Sequence, residues 1–171
     1  VWKGTSTSEK INIVDSTDGH GKVISFYGAN VPNGGGNNLE TQATVKTLLN
    51  GKKQVKFAMD FYTESVRYMQ LTLYDTTISS NTKTFKPFTV NTGGQIVVNS
   101  VNQEITEGIN LNGQWHTVEM YIDISTGKYA CYLDKVLVGK GMDAEENGLS
   151  NWTNITKSRL TVGGYASATS T

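Results

Sequence analysis

The stretch from Asn112 to Gly141 reads NGQWHTVEMYIDISTGKYACYLDKVLVGKG. From His116 to Ile124 it alternates. Val118, Met120, Ile122 and Ile124 share one side, and Thr117, Glu119, Tyr121 and Asp123 share the other. Successive side chains of an extended chain point to opposite faces, so this pattern predicts a half-buried strand. Ser125-Thr126-Gly127 then supplies a turn, and Lys128–Leu133 and Val136–Val138 read as two further strands. The polar and aromatic side of this stretch is a solvated wall, a ligand platform or a catalytic groove.

The same period extends outward along the chain. QVKFAMDFY, Gln54 to Tyr62, sets Val55, Phe57, Met59 and Phe61 against Lys56, Ala58, Asp60 and Tyr62. VRYMQLTLYD, Val66 to Asp75, sets Met69, Leu71 and Leu73 against Tyr68, Gln70, Thr72 and Tyr74. Further strands are expected over 11–14, 22–27, 41–49, 84–90, 95–99 and 159–165. Turn residues punctuate them, as in NTGG from Asn91 and GG at Gly163. NVPNGGGNN, Asn30 to Asn38, is expected to be a flexible loop. It is no phosphate loop, because neither a Lys-Ser/Thr pair nor a helix start follows it. About a dozen short strands with regular turns predict an all-β fold: an antiparallel two-sheet β-sandwich spanning 1–171 as a single domain.

A chain of 171 residues can build a core without covalent staples. Lys plus Arg total 15 and Asp plus Glu total 15, with no basic run, so neither a nucleic-acid footprint nor a basic membrane-surface helix is expected. No apolar run approaches the roughly 20 residues of a membrane-spanning helix. The lone cysteine, Cys131, lies mid-strand and reads as a small buried thiol. The chain opens at Val1-Trp2, which reads as a processed or excised piece of a larger protein.

GQWHTVEMYIDISTGKYACYLDKVLVG (Gly113 to Gly139) resembles the Trp-His-x-Val strand, turn and Asp-containing hairpin of the concanavalin A-like lectin and glucanase superfamily. DGHGKVISFYG from Asp18, VKFAMDFYTES and RYMQLTLYD are similar to an early strand and a central hairpin of the same group. The resemblance implies a jelly-roll sandwich. It also implies a non-catalytic carbohydrate-binding module of a secreted or cell-surface bacterial protein that degrades polysaccharides. Its partners would be a polysaccharide or oligosaccharide and covalently linked neighbouring domains, with the module itself monomeric. A structural or adhesive domain, and a glycoside hydrolase or polysaccharide lyase, are the alternatives.

Within that reading the outward set carries the sugar. Tyr62, Tyr68, Gln70, Glu119, Tyr121 and Tyr132 are the expected contacts, with Trp152 on a loop rim. An aromatic face covers the apolar side of a pyranose, while amides and carboxylates meet its hydroxyls. An exposed sheet face also favours Tyr and Thr through cross-strand packing alone, so each of these residues has a purely structural reading. Relatives hold Ca²⁺ in loops, and VDSTDG (Val14 to Gly19) offers Asp15 and Asp18 as a structural calcium site. Catalysis would need two carboxylates at a defined spacing. Glu119 and Asp123 share a face, but the Glu-x-Asp-x-Glu strand motif of the glucanase relatives is absent.

Overall fold

The computed structural model describes residues 10–16, 18–27, 37–41, 49–64, 68–77, 83–90, 96–98, 101–102, 110–140 and 152–162. Twelve strands run through them: β1 Lys10–Asp15, β2 Lys22–Tyr27, β3 Asn37–Thr41, β4 Gln54–Tyr62, β5 Met69–Asp75, β6 Lys83–Val90, β7 Ile96–Val98, β8 Val101–Asn102, β9 Trp115–Asp123, β10 Lys128–Leu133, β11 Val136–Lys140 and β12 Lys157–Val162. A four-stranded sheet has the order β11-β10-β9-β4, and a six-stranded sheet has the order β3-β12-β5-β6-β7-β8. β1 and β2 form a separate two-stranded ribbon. Every pairing is antiparallel. The fold is the expected all-β antiparallel sandwich.

The strands expected at 22–27, 54–62 and 128–133 have those bounds. Two details differ. Asn37 and Asn38, placed in the glycine-rich loop on sequence, open β3 against β12; residues 30–36 of that loop lie outside the described residues. The strand expected over 41–49 is not continuous. Thr41 ends β3, and Leu49 is helical rather than extended, while 42–48 lie outside the described residues.

The two larger sheets meet through their apolar faces. Val55, Val118, Met120, Ile122, Tyr129, Cys131 and Leu133 come from the four-stranded sheet. Leu71, Leu73, Phe85, Phe88, Val90 and Ile96 come from the six-stranded one. Phe61 on β4 lies 6.1 Å from Phe88 on β6, and Phe85 meets Tyr129 of β10 edge-on at 5.3 Å. The Tyr129 hydroxyl donates across the interface to the Pro87 carbonyl. A buried phenol needs such an acceptor, and burial pushes its pKa well up.

Pro87 explains a break in the alternation. Leu71 pairs with Phe88 but Leu73 pairs with Phe85, so Lys86 and Pro87 together oppose Thr72. Proline cannot donate to a ladder, and a bulge removes that demand. The extra residue resets the phase of β6, so Phe85 and Phe88 both turn inward although they lie an odd number of residues apart. A second bulge sits in β11. Cys131 pairs with Gly139 and Tyr132 with Leu137, which leaves Val138 extra; Val138 turns inward and Leu137 stays out beside Tyr132.

The loop 152–156 closes one end of the core. Trp152 is only 5% exposed and Ile155 is buried with it. The loop is held by Asp75, whose side chain is fully buried at the end of β5. Asp75 accepts hydrogen bonds from Thr77 N at 3.0 Å, Thr153 N at 2.9 Å, Thr153 Oγ1 at 2.9 Å and Asn154 N at 3.1 Å. Burial alone would raise its pKa, but the Thr77 hydroxyl, followed by these backbone donors, outweighs it and holds the carboxyl at about 2. The same loop reaches the segment that leads into β4, with Asn154 Oδ1 accepting from Gly51 N and Thr153 O accepting from Lys53 Nζ.

Candidate functional site

Antiparallel register assembles one polar and aromatic face on the outside of the four-stranded sheet. β9 lies between β4 and β10. Tyr121 pairs with Lys56 on one side and Ala130 on the other; Glu119 pairs with Ala58 and Tyr132; Thr117 pairs with Asp60; and Trp115 pairs with Tyr62. Their neighbours along each strand point into the core, so these side chains face outward by parity.

Tyr121 is the centre of this face. Its ring meets Tyr132 edge to face with centroids 5.8 Å apart. The Lys56 ammonium lies 5.2 Å from the Tyr121 ring centroid on the β4 side and forms an ion pair with Glu119. Bonds to Glu119 and Tyr121 raise the Lys56 pKa. Around these residues Gln54, Asp123, Lys128 and Leu137 border an open depression of about 630 Å³. That volume falls in the range of small-molecule sites.

The carboxylates on this face are engaged. Asp60 accepts from Thr117 Oγ1 at 2.7 Å. Asp123 accepts from the Ser125 side chain, from Gln54 Nε2 at 2.8 Å and from the backbone N–H groups of Ser125 and Thr126, which hold it well below the usual carboxylate range. Asp123 thereby caps the 124–127 turn. Glu119 and Asp123 lie four residues apart along β9, roughly 13 Å of backbone at about 3.3 Å per residue, and each carboxylate is held by its own partners.

A second aromatic cluster stands at the other end of the face. Tyr62 lies 5.7 Å from Trp115, and His20 stacks on Trp115 with centroids 4.0 Å apart and planes 15° from parallel. Trp115 Nε1 donates to Asp18, which also accepts from Ser16 Oγ and lies 3.1 Å from His20 Nδ1. The Ser16 hydroxyl, followed by Trp115 and His20, holds the Asp18 carboxyl well below its ordinary range. The ribbon turn, with Gly19 and Gly21 at positive φ, is thus clipped onto β9.

The sequence-predicted site residues therefore divide. Tyr62, Glu119, Tyr121 and Tyr132 share one face. Gln70 does not: it lies on β5 in the six-stranded sheet, whose outer side points away from this face. Its amide is spent in a ladder, with Nε2 donating to Thr89 Oγ1 at 3.1 Å and Oε1 accepting from Thr72 Oγ1 at 3.2 Å. Tyr68 is half-buried just before β5, the strand of the six-stranded sheet that carries Gln70. Trp152 is a core residue and not a rim contact, because loop 152–156 is drawn inward by Asp75. Asp15 and Asp18 do not converge on a cation. Lys22 Nζ lies 2.8 Å from Asp15 Oδ1, while Asp18 is directed at Trp115 and His20. Among the described residues no group of three or more His, Cys, Asp or Glu is placed to hold a metal ion. Sequence reasoning missed Lys56 as a partner of Tyr121, and missed Leu137. The first is visible only once β4 is paired with β9, and the second depends on the β11 bulge.

No protein-family model and no curated protein matches this sequence. Solved structures similar in fold include the following two. A sialidase superimposes with a TM-score of 0.53 at 14% identity, over 75% of this chain and 11% of that one. The globular domain of T. cruzi calreticulin superimposes with a TM-score of 0.53 at 14% identity, over 95% of this chain and 78% of that one. The chain thus spans about a ninth of the sialidase's length. At this identity the likeness is one of fold, that of an antiparallel β-sandwich. Among the described residues no helix is long and apolar enough to cross a membrane.

Proposed function

We propose that this domain is a non-catalytic carbohydrate-binding module, and that it binds glycan through the outer face of the four-stranded sheet. The observation that carries this reading is the convergence of Tyr121, Tyr132, Lys56 and Leu137 on one open depression, with Glu119 paired to Lys56 beside it. An exposed tyrosine offers an apolar ring to a pyranose face, and the surrounding amide, ammonium and carboxylate groups meet its hydroxyls. The fold likeness to a sialidase and to calreticulin's globular domain supports the same class. Targeting of a secreted or cell-surface polysaccharide-degrading protein is the role that such a module serves.

The carboxylates favour binding over catalysis. A general acid needs a raised pKa, whereas Asp123 is held low by its hydrogen bonds. Asp60 and Glu119 are diagonal neighbours across β4 and β9, about 7–8 Å apart by sheet geometry, but Glu119 is bound to Lys56. Retention on insoluble cellulose, mannan, xylan, chitin and host-type glycans, with reducing-end release measured in parallel, tests the reading. Retention without release is expected. Release of sugar ends that is abolished in Glu119→Gln would establish an enzyme instead, and no retention on any glycan would remove the sugar reading.

A docking or adhesive role has one observation in its favour. Ile13, Val14 and Ile24 of the ribbon are exposed at 73%, 41% and 39%. Concentration-dependent self-association abolished by Ile13→Lys would support it.

A further inference from the structure

We propose that this face holds a single extended and uncharged glycan chain at two separated aromatic stations, Tyr62 and Tyr121. The inference rests on the sugar-binding reading and adds chain length and charge to it. Tyr62 and Tyr121 are the most exposed tyrosines on the face, at 46% and 43%. They stand on adjacent antiparallel strands. Tyr62 pairs with Trp115 and Lys56 pairs with Tyr121, so the stations lie six residues apart in register. That separation is about 20 Å at roughly 3.4 Å per residue, the length of several linked pyranose rings.

Each station has an aromatic neighbour that fixes its ring. Trp115 supports Tyr62 and is itself fixed by the His20 stack and the Asp18 carboxylate. Tyr121 is fixed between Lys56 and Tyr132. A ring already ordered loses little freedom on binding. Between the stations Ala58 presents only a methyl group, opposite Glu119. A disaccharide reaches one station; a longer chain reaches both, and the second contact becomes intramolecular.

The charges select against polyanions. Asp60 and Glu119 lie between the stations, and Glu119 already occupies the Lys56 ammonium; Lys128 stands past Tyr121, opposite Asp123. Carboxylates accept hydrogen bonds from sugar hydroxyls, whereas a uronate carboxylate has no proton to give them.

Titration calorimetry of the intact chain tests this, using cello-, manno- and xylo-oligosaccharides from disaccharide to octasaccharide and oligogalacturonates of the same lengths. Affinity for a neutral series is expected to rise about tenfold or more once the chain spans both stations. Tyr62→Ala and Tyr121→Ala should each remove that rise for the octasaccharide, while Tyr62→Phe keeps it. Melting curves confirm that each variant is folded. Equal affinity for disaccharide and octasaccharide overturns the two-station inference alone. So does an unchanged octasaccharide affinity in Tyr62→Ala. Tighter binding of oligogalacturonate overturns the charge selection. Absence of binding at every length overturns the underlying sugar reading as well.

Discussion

The Asp134 carboxylate lies 2.6 Å from His116 Nδ1, and the Asn110 carbonyl lies 3.2 Å from His116 Nε2. Both nitrogens of a ring that is only 3% exposed thus face acceptors. Asp134 sits in the β10–β11 turn, where it and Lys135 have positive φ, as a two-residue hairpin turn requires. Its other oxygen accepts from Thr117 N at 2.8 Å. The pair ties the hairpin to β9 and the segment before it.

Removing one partner leaves a buried polar group unmet. Asp134→Ala is therefore expected to lower stability by about 1–3 kcal/mol, read from urea unfolding. In a double-mutant cycle with His116→Ala the two losses should be less than additive. Full additivity would show that the contact contributes nothing.

Asp75 makes a pH prediction. Its folded pKa, about 2, lies below the ordinary value of 3.8. A depressed acid stabilises the fold above its unfolded pKa and loses that contribution as pH falls through its folded pKa. Stability should therefore drop by on the order of 2 kcal/mol between about pH 4 and pH 2. Asp75→Asn should flatten this part of the acid limb in denaturant melts at stepped pH; an unaltered limb would assign the acid sensitivity elsewhere.

On the outer face, Tyr121→Ala should weaken binding to whichever glycan retains the domain by roughly 5- to 150-fold, the ~1–3 kcal/mol of a stacking contact. Its melting temperature should stay within a few degrees, because the ring is outside the core. Lys56→Met should also weaken binding, since it frees Glu119 and removes the brace beside the ring. Gln70→Ala, on the opposite face, should leave affinity unchanged. The reverse ranking would place the site on the six-stranded sheet.

Trp152→Ala should behave in the opposite way. Deleting a buried tryptophan costs about 3–5 kcal/mol, so the melting temperature falls while glycan affinity in the folded fraction persists. A parallel test uses Cys131, whose thiol burial pushes up to about 11. It should resist a thiol-titrating reagent at pH 8 in the native protein and react once unfolded.

Much of this molecule is visible in its period-two alternation. The inward sets of β4, β9 and β10 follow from it, because pleating sends neighbouring side chains to opposite faces wherever the ladder is regular. The same rule fails at β6 and β11, where a bulge shifts the phase and turns Phe88 and Val138 inward. A proline in the run, Pro87, was the available signal for the first.

Alternation by itself determined which residues of the regular strands leave the core, and hence the all-β sandwich. It carried no information about which sheet a strand joins. Gln70 and Tyr121 are both outward by parity, yet they face opposite ways because β5 pairs with β6 and β12 while β9 pairs with β4 and β10. Only the tertiary pairing brought Lys56 beside Tyr121, set Tyr62 some 20 Å from it along β9, and drew Trp152 into the core through Asp75. Those contacts join residues far apart in the chain, and long-range hydrogen bonding, not local pattern, selects them.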